Sequence, residues 1–204
     1  MSDERTPEAM ASAMRAIEAA FLLERGLTLP GATEVWLVRH GDCYEGVAGD
    51  DPGLSPLGRE QARRLGERVR RLPHAAVYAS PLRRAVETAR AIGPDVRLDD
   101  RLVELQVELV DGRVLPAESP DDAAARMRAA VADAVAAHPG ARVVLVSHAA
   151  AILSCLCDVL HLDAGSLRLL PYYTSISVVR VLGDRRMAGG LGDVAHLEWP
   201  PGGD

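Results

Sequence analysis

The chain has 204 residues, 48% hydrophobic and 25% charged, with a formal net charge of −6; this suits one soluble domain and argues against non-specific binding to nucleic acid or an anionic membrane. All 23 basic residues are arginine, and asparagine is absent. A lysine Schiff base, a P-loop lysine and an Asn-linked glycan are thereby excluded, and any anion must be held by arginine, histidine or backbone N–H groups.

Residues 7–25 carry apolar groups at Met10, Met14, Ile17 and Phe21, a helical stripe that Gly26 stops. We read 1–33 as a helical extension packed on a single domain, 34–204. Residues 34–38 form a mostly apolar run of the kind found in a central parallel strand, and it leads straight into Arg39-His40-Gly41. A polar loop over 42–54 follows. Ser55-Pro56 opens a helix to about Leu72, with serine as cap and proline in the first turn. Residues 75–79 read as a strand, and Ser80-Pro81 opens a second helix that Gly93-Pro94 ends. A short strand at 96–98 precedes a third such start, Ser119-Pro120, whose helix runs to about Ala137. The strand 142–146 leads into Ser147-His148, and 149–160 is an apolar helix. Residues 176–182 and 194–198 look like a closing antiparallel pair joined by a glycine-rich turn.

Strands alternating with helices predict an α/β fold, a three-layer α/β/α sandwich on a mostly parallel sheet, with ligands bound outside the carboxyl ends of the strands. Arg39, His40, the 80–84 turn, Ser147 and His148 all fall at that rim. Guanidinium forks match phosphoryl oxygens, a neutral imidazole can attack phosphorus, and a carboxylic acid must protonate the departing alkoxide. Glu104, Glu108 and Glu118 are the candidate acids.

The blocks Leu37-Val38-Arg39-His40-Gly41, Leu54-Ser55-Pro56-Leu57-Gly58, Ser80-Pro81-Leu82-Arg83-Arg84-Ala85, Leu102-Val103-Glu104 and Val146-Ser147-His148 occur in one order over roughly residues 34–182. Together they resemble the histidine phosphatase superfamily, in its phosphoglycerate mutase-like branch. The resemblance implies a phosphoglycerate mutase-like fold and a phosphomonoester hydrolase of the histidine acid phosphatase type. It further implies His40 as the nucleophile that forms a phosphohistidine, Glu104 as the proton donor and His148 as a transition-state stabiliser. Arg39 and Arg84 would bind the substrate phosphate, with no metal and no cofactor. Two alternatives stand beside this reading: a phosphoglycerate mutase-type phosphotransferase, and a non-catalytic relative that binds a phosphorylated ligand. Only 43 residues (105–147) separate Glu104 from His148, which leaves little space for a mutase lid.

The chain departs from the family pattern after Arg-His-Gly. Asp42-Cys43-Tyr44-Glu45 stands where the family carries a threonine or serine and then an asparagine, and these acids should weaken phosphate binding unless they point outward. Glu108 replaces a glycine, and Ala149 and Ala150 replace glycines after the second histidine. The three cysteines, Cys43, Cys155 and Cys157, read as reduced thiols of a cytoplasmic protein. A small phosphorylated substrate is the expected partner, nucleic acid and membrane are not, and the 7–25 helix is compatible with a homodimer.

Overall fold

The apolar run at 35–38 is buried on both of its faces, as a strand covered by helices on either side must be. In a computed structural model, which describes residues 10, 11, 14, 31–45, 51–110, 113–164 and 166–198, the side chains of 107–110, 113, 114 and 116 apart, this run lies within β1 (Thr33–Arg39). The elements that follow are α1 (Pro56–Arg70), β2 (Ala76–Ala79), α2 (Arg83–Ile92), β3 (Val96–Leu98) and a 3-10 turn at Asp100–Leu102. Then come β4 (Val107–Val110), β5 (Arg113–Pro116), α3 (Pro120–Ala137), β6 (Arg142–Ser147) and α4 (Ala149–Leu160). The chain closes with β7 (Ile176–Leu182), β8 (Arg185–Asp193) and α5 (Ala195–Glu198).

The sheet has the order β3-β2-β6-β1-β7-β8. β3, β2, β6 and β1 run parallel, and β7 and β8 close the edge antiparallel to their neighbours. Side-chain alternation divides the core between the two faces. Val35, Leu37, Val143 and Leu145 meet Met127 and Val131 of α3 and Ile152, Cys155 and Leu156 of α4. Trp36, Val38, Val144 and Val146 meet Leu65 and Val69 of α1 and Ala85, Ala89 and Ile92 of α2. Three layers result, as the alternation of strands and helices predicts. Cys155 and Cys157 are buried, and burial pushes the Cys155 thiol up to about 12.

Two stretches differ from expectation. The closing strand is not 194–198 but β8, and 195–198 is a turn of helix. Gly183, at φ 61°, turns the chain within the two residues between β7 and β8, so the glycine-rich stretch itself becomes the edge strand, where missing side chains cost little packing. β4 and β5 pair with each other as a separate two-stranded antiparallel sheet. Of the predicted 7–25 helix only Met10, Ala11 and Met14 are described, and all three are helical. Ala32 and Thr33 are buried at the start of β1, and the packing of the rest of the 1–33 extension lies outside the described residues. Among the described residues no helix is long and apolar enough to cross a membrane.

Candidate active site

Strand register brings the site together. Arg39 pairs with Ser147 across β1 and β6, and Ala79 pairs with Val146 across β2 and β6. His40 N–H donates to Ser147 O at 3.0 Å, and Ser80 N–H to Val146 O at 3.0 Å. His40, Ser80 and His148 therefore leave three adjacent strands at one level, and the two imidazole centroids lie 5.0 Å apart.

The hydrogen bonds fix the His40 tautomer. Nδ1 faces Gly41 O at 2.7 Å, and a carbonyl only accepts, so Nδ1 carries the proton. Nε2 accepts from Arg84 Nε at 3.2 Å; a guanidinium only donates, so Nε2 presents its lone pair. Burial, with Arg84 and Arg39 nearby, pushes His40 down to about 3, and the ring is neutral in neutral solution. His148 pairs through Nε2 with Ser80 Oγ at 2.9 Å, while its buried Nδ1 has no protein partner. Burial and the neighbouring His40 push His148 down to about 2.

Arg39 donates through Nη1 to Pro171 O at 2.8 Å, and its guanidinium lies 3.9 Å over the Tyr173 ring. Its Nε is buried without a protein partner. Arg84 reaches His40, while Arg83 turns to Glu87 at 2.7 Å on the exposed side of α2. Helix geometry separates them, because neighbouring residues differ by about 100° around the axis. Asp51 lies 3.7 Å from Arg84 and accepts the Arg83 backbone N–H, so it covers the α2 N-terminus that Ser80 was expected to cap. Ser80 stands two residues before the N-cap position, Leu82; its hydroxyl accepts the Leu82 N–H at 3.3 Å and faces His148.

Glu104 lies over the N-terminus of α4. Its Oε1 accepts from Leu105 N at 2.8 Å and from Ala150 N and Ala151 N at 3.1 Å each. Those three amides orient the carboxyl group and leave Oε2 to do other work. Glu118 is elsewhere engaged: Arg126 donates to both its oxygens, at 2.6 and 2.8 Å. Glu108 lies in β4 opposite Leu115.

The acids after Arg-His-Gly resolve individually. The Asp42 carboxylate accepts the Ser55 hydroxyl at the α1 N-terminus, and Asp42 N–H donates to Gln61 Oε1 at 2.8 Å. It is thereby directed toward α1, and Glu45 is exposed. A close approach of backbones holds this turn: a Cβ on Gly58 would stand 1.8 Å from Asp42 O. Burial raises the Cys43 thiol above its ordinary value, so it is no activated nucleophile.

Several supporting residues escape sequence reasoning. Arg126 donates to Arg101 O at 2.7 Å, Val103 O at 2.8 Å and Glu104 O at 3.2 Å, which fixes the turn that carries Glu104. Thr88 accepts from Gly41 N at 3.0 Å. Tyr173 faces both Arg39 and His40, its ring 5.8 Å from that of His40. An arginine set within the apolar spacing Ala123, Met127 and Ala130 of a helix was the one sequence signal for Arg126. Nothing local marks Tyr173.

Comparison with known proteins agrees with this fold. The probable phosphoglycerate mutase GpmB of Enterobacter sp. (strain 638) is 32% identical over 206 residues, which span 82% of this chain and 96% of that one. The solved structure of the mycobacterial glucosyl-3-phosphoglycerate phosphatase is 25% identical, with a TM-score of 0.66 over 78% of this chain and 98% of its own. The phosphoserine phosphatase of Entamoeba histolytica shares the fold at 18% identity, with a TM-score of 0.70 over 81% of this chain and 99% of its own. The family model described as "Histidine phosphatase superfamily (branch 1)" matches residues 35–115 and 109–193. The chain belongs to that superfamily of phosphoryl-transfer enzymes.

Proposed function

We propose that the protein is a phosphomonoester hydrolase of the acid phosphatase type, acting on a small phosphorylated substrate by double displacement through phospho-His40. One observation carries the reading: a neutral, buried imidazole presents the lone pair of Nε2 between two guanidiniums and a second imidazole. Arg39 Nε and His148 Nδ1 are both buried without protein partners, which leaves these two groups with hydrogen-bonding capacity that a phosphoryl group would use. A bound phosphoryl group draws Arg84 from Nε2 to its own oxygens, a stronger charge-assisted contact. Nε2 then attacks phosphorus, the ester P–O bond breaks, and Glu104 Oε2 protonates the departing oxygen. His148 and the arginines hold the charge on the equatorial oxygens. In the second half Glu104 takes a proton from water, the hydroxide attacks phosphorus, and the P–N bond breaks to release inorganic phosphate.

The acid-phosphatase assignment rests on His40 itself. Because its imidazole stays neutral down to about pH 3, the nucleophile is available at acidic pH. A mutase reading is favoured by the name of the GpmB relative. Against it, three further cations are already engaged: Arg126 with Glu118, Arg83 with Glu87, and Arg59 with Leu54 O at 2.7 Å. A bisphosphorylated intermediate needs free ones.

The test is turnover of a chromogenic phosphomonoester from acidic to neutral pH, beside His40→Ala. Hydrolysis lost in His40→Ala, with an acid-quench-sensitive phosphoenzyme in the unsubstituted protein, is expected. Hydrolysis unchanged in His40→Ala would overturn the mechanism, and hydrolysis in neither protein would leave the non-catalytic binder. Adding 3-phosphoglycerate with its bisphosphate exposes a mutase.

A further inference from the structure

Among the described residues two non-glycine positions have positive φ, His161 and Thr174. His161 is the left-handed cap that ends α4, an ordinary place for that conformation. Thr174, at φ 57°, ends no helix, and a β-branched residue is a poor occupant of the left-handed region. Such backbone persists only where its surroundings determine it, and it gathers at functional sites.

Two hydrogen bonds hold Thr174. Its N–H donates to His40 O at 3.3 Å, and its hydroxyl pairs with His196 Nε2 at 3.0 Å. Both side chains are buried. The same turn is tied to β1 by Arg39 N–H, which donates to Ser175 O at 3.2 Å, and closed by Ser175 N–H, which donates to Tyr172 O at 2.9 Å. Its product is the placement of Tyr173. The Arg39 guanidinium carbon lies 3.9 Å over the centre of the Tyr173 ring, while Pro171 O takes the Nη1 hydrogen at 2.8 Å. One arginine of the proposed phosphoryl site is thus held over the ring and at one edge, and its buried Nε has no protein partner.

We propose that Tyr173 is a positioning residue that clamps the Arg39 guanidinium for anion binding, and that His196 holds Tyr173 in place through Thr174. The proposal rests on the reading of Arg39 as a phosphoryl ligand. His196 comes from α5, directly beyond Asp193, whose carboxylate pairs with Arg68 of α1. Burial, and Arg68 nearby, push the imidazole down to about 4, so a neutral ring faces the hydroxyl. Its Nδ1 is buried without a partner. A residue kept only to fill space there would be better apolar, since an unpaired buried nitrogen is costly. A clamp matters because a free arginine loses much side-chain entropy on binding, and a held one does not.

The experiment is the equilibrium affinity of the full chain for inorganic phosphate, measured by calorimetry, with melting temperature recorded for every variant. Tyr173→Phe keeps the ring face and should bind within about twofold of the unsubstituted protein, whereas Tyr173→Leu should weaken binding by about 3- to 10-fold. His196→Leu should weaken it similarly, and His196→Gln, whose amide can still bond the hydroxyl, should recover most of the loss. The double variant Tyr173→Leu/His196→Leu should bind no worse than the weaker single variant, because both act by one route. A His196→Leu protein that melts lower yet binds phosphate normally overturns the proposal; so does a Tyr173→Leu protein that binds like Tyr173→Phe. If His196→Leu fails to fold, the Tyr173 pair and His196→Gln decide. No phosphate binding by the unsubstituted protein would overturn the reading of the site itself, an outcome distinct from equal affinities.

Discussion

His40 and Glu104 show how single side chains are assigned by the hydrogen bonds that remain to them. With Nδ1 committed to Gly41 O, only Nε2 can reach phosphorus. With Oε1 committed to three amides, only Oε2 can reach the leaving oxygen. This division yields a leaving-group test. Glu104→Gln should slow hydrolysis of an alkyl phosphomonoester by about 10²- to 10⁴-fold. An aryl ester whose leaving group needs no proton should be slowed much less. Equal losses on both would remove Glu104 from the acid role. Arg84 gives a second test: Arg84→Lys keeps the charge but loses the planar fork that could meet two phosphoryl oxygens at once. We expect kcat/KM to fall by about tenfold or more in steady-state assays, an amount that a point charge of the same sign would not predict.

Three Ser-Pro pairs look alike in the chain, yet the elements treat them differently. Ser55 and Ser119 cap their helices, accepting from Gly58 N at 3.0 Å and Asp122 N at 3.1 Å. Ser80 begins no helix; its hydroxyl faces His148, 68 residues away. Local pattern was enough for β1, α1, α3 and α4, because caps and apolar spacing are properties of neighbouring residues. It was not enough for Ser80, Asp51, Arg126 or Tyr173, whose partners are set by strand order and helix docking. Arg39, His40 and His148 were legible as polar residues at strand ends; the clamps that hold them were not. The same holds for Gly58, which reads as an ordinary helix residue until α1 docks on the 41–42 turn. Gly58→Ala drives a Cβ against Asp42 O, and because both atoms belong to backbone, the helix must shift. The expected cost is about 1–3 kcal/mol, measured as a lower melting temperature, together with weaker phosphate binding as the turn after His40 moves. A melting temperature unchanged from the parent would mean that the contact relaxes freely.

At the scale of the whole molecule, burial of histidines sets acid stability against the proposed acid activity. His40, His148 and His196 are all pushed below the ordinary value of 6.5, to about 3, 2 and 4. Between pH 6.5 and about 4 the unfolded chain binds protons on these residues and the folded chain does not, so unfolding takes up protons and stability falls as pH falls. Each group adds a slope of up to about 1.4 kcal/mol per pH unit, and three together approach about 4. The paired carboxylates Asp99, Glu118 and Asp193 have lowered values, and they add their loss later, as pH falls below their unfolded range near 4. Meanwhile His40, the proposed nucleophile, stays neutral to about pH 3. The acid limb of activity should therefore report unfolding of the domain and not protonation of the nucleophile. We expect it to be steeper than one proton per pH unit and to coincide with loss of the far-ultraviolet circular dichroism signal. Saturating phosphate, which binds only the folded chain, should move both limbs together to lower pH. An acid limb of unit slope, well separated from the structural transition, would instead place a single titrating group in control of the rate.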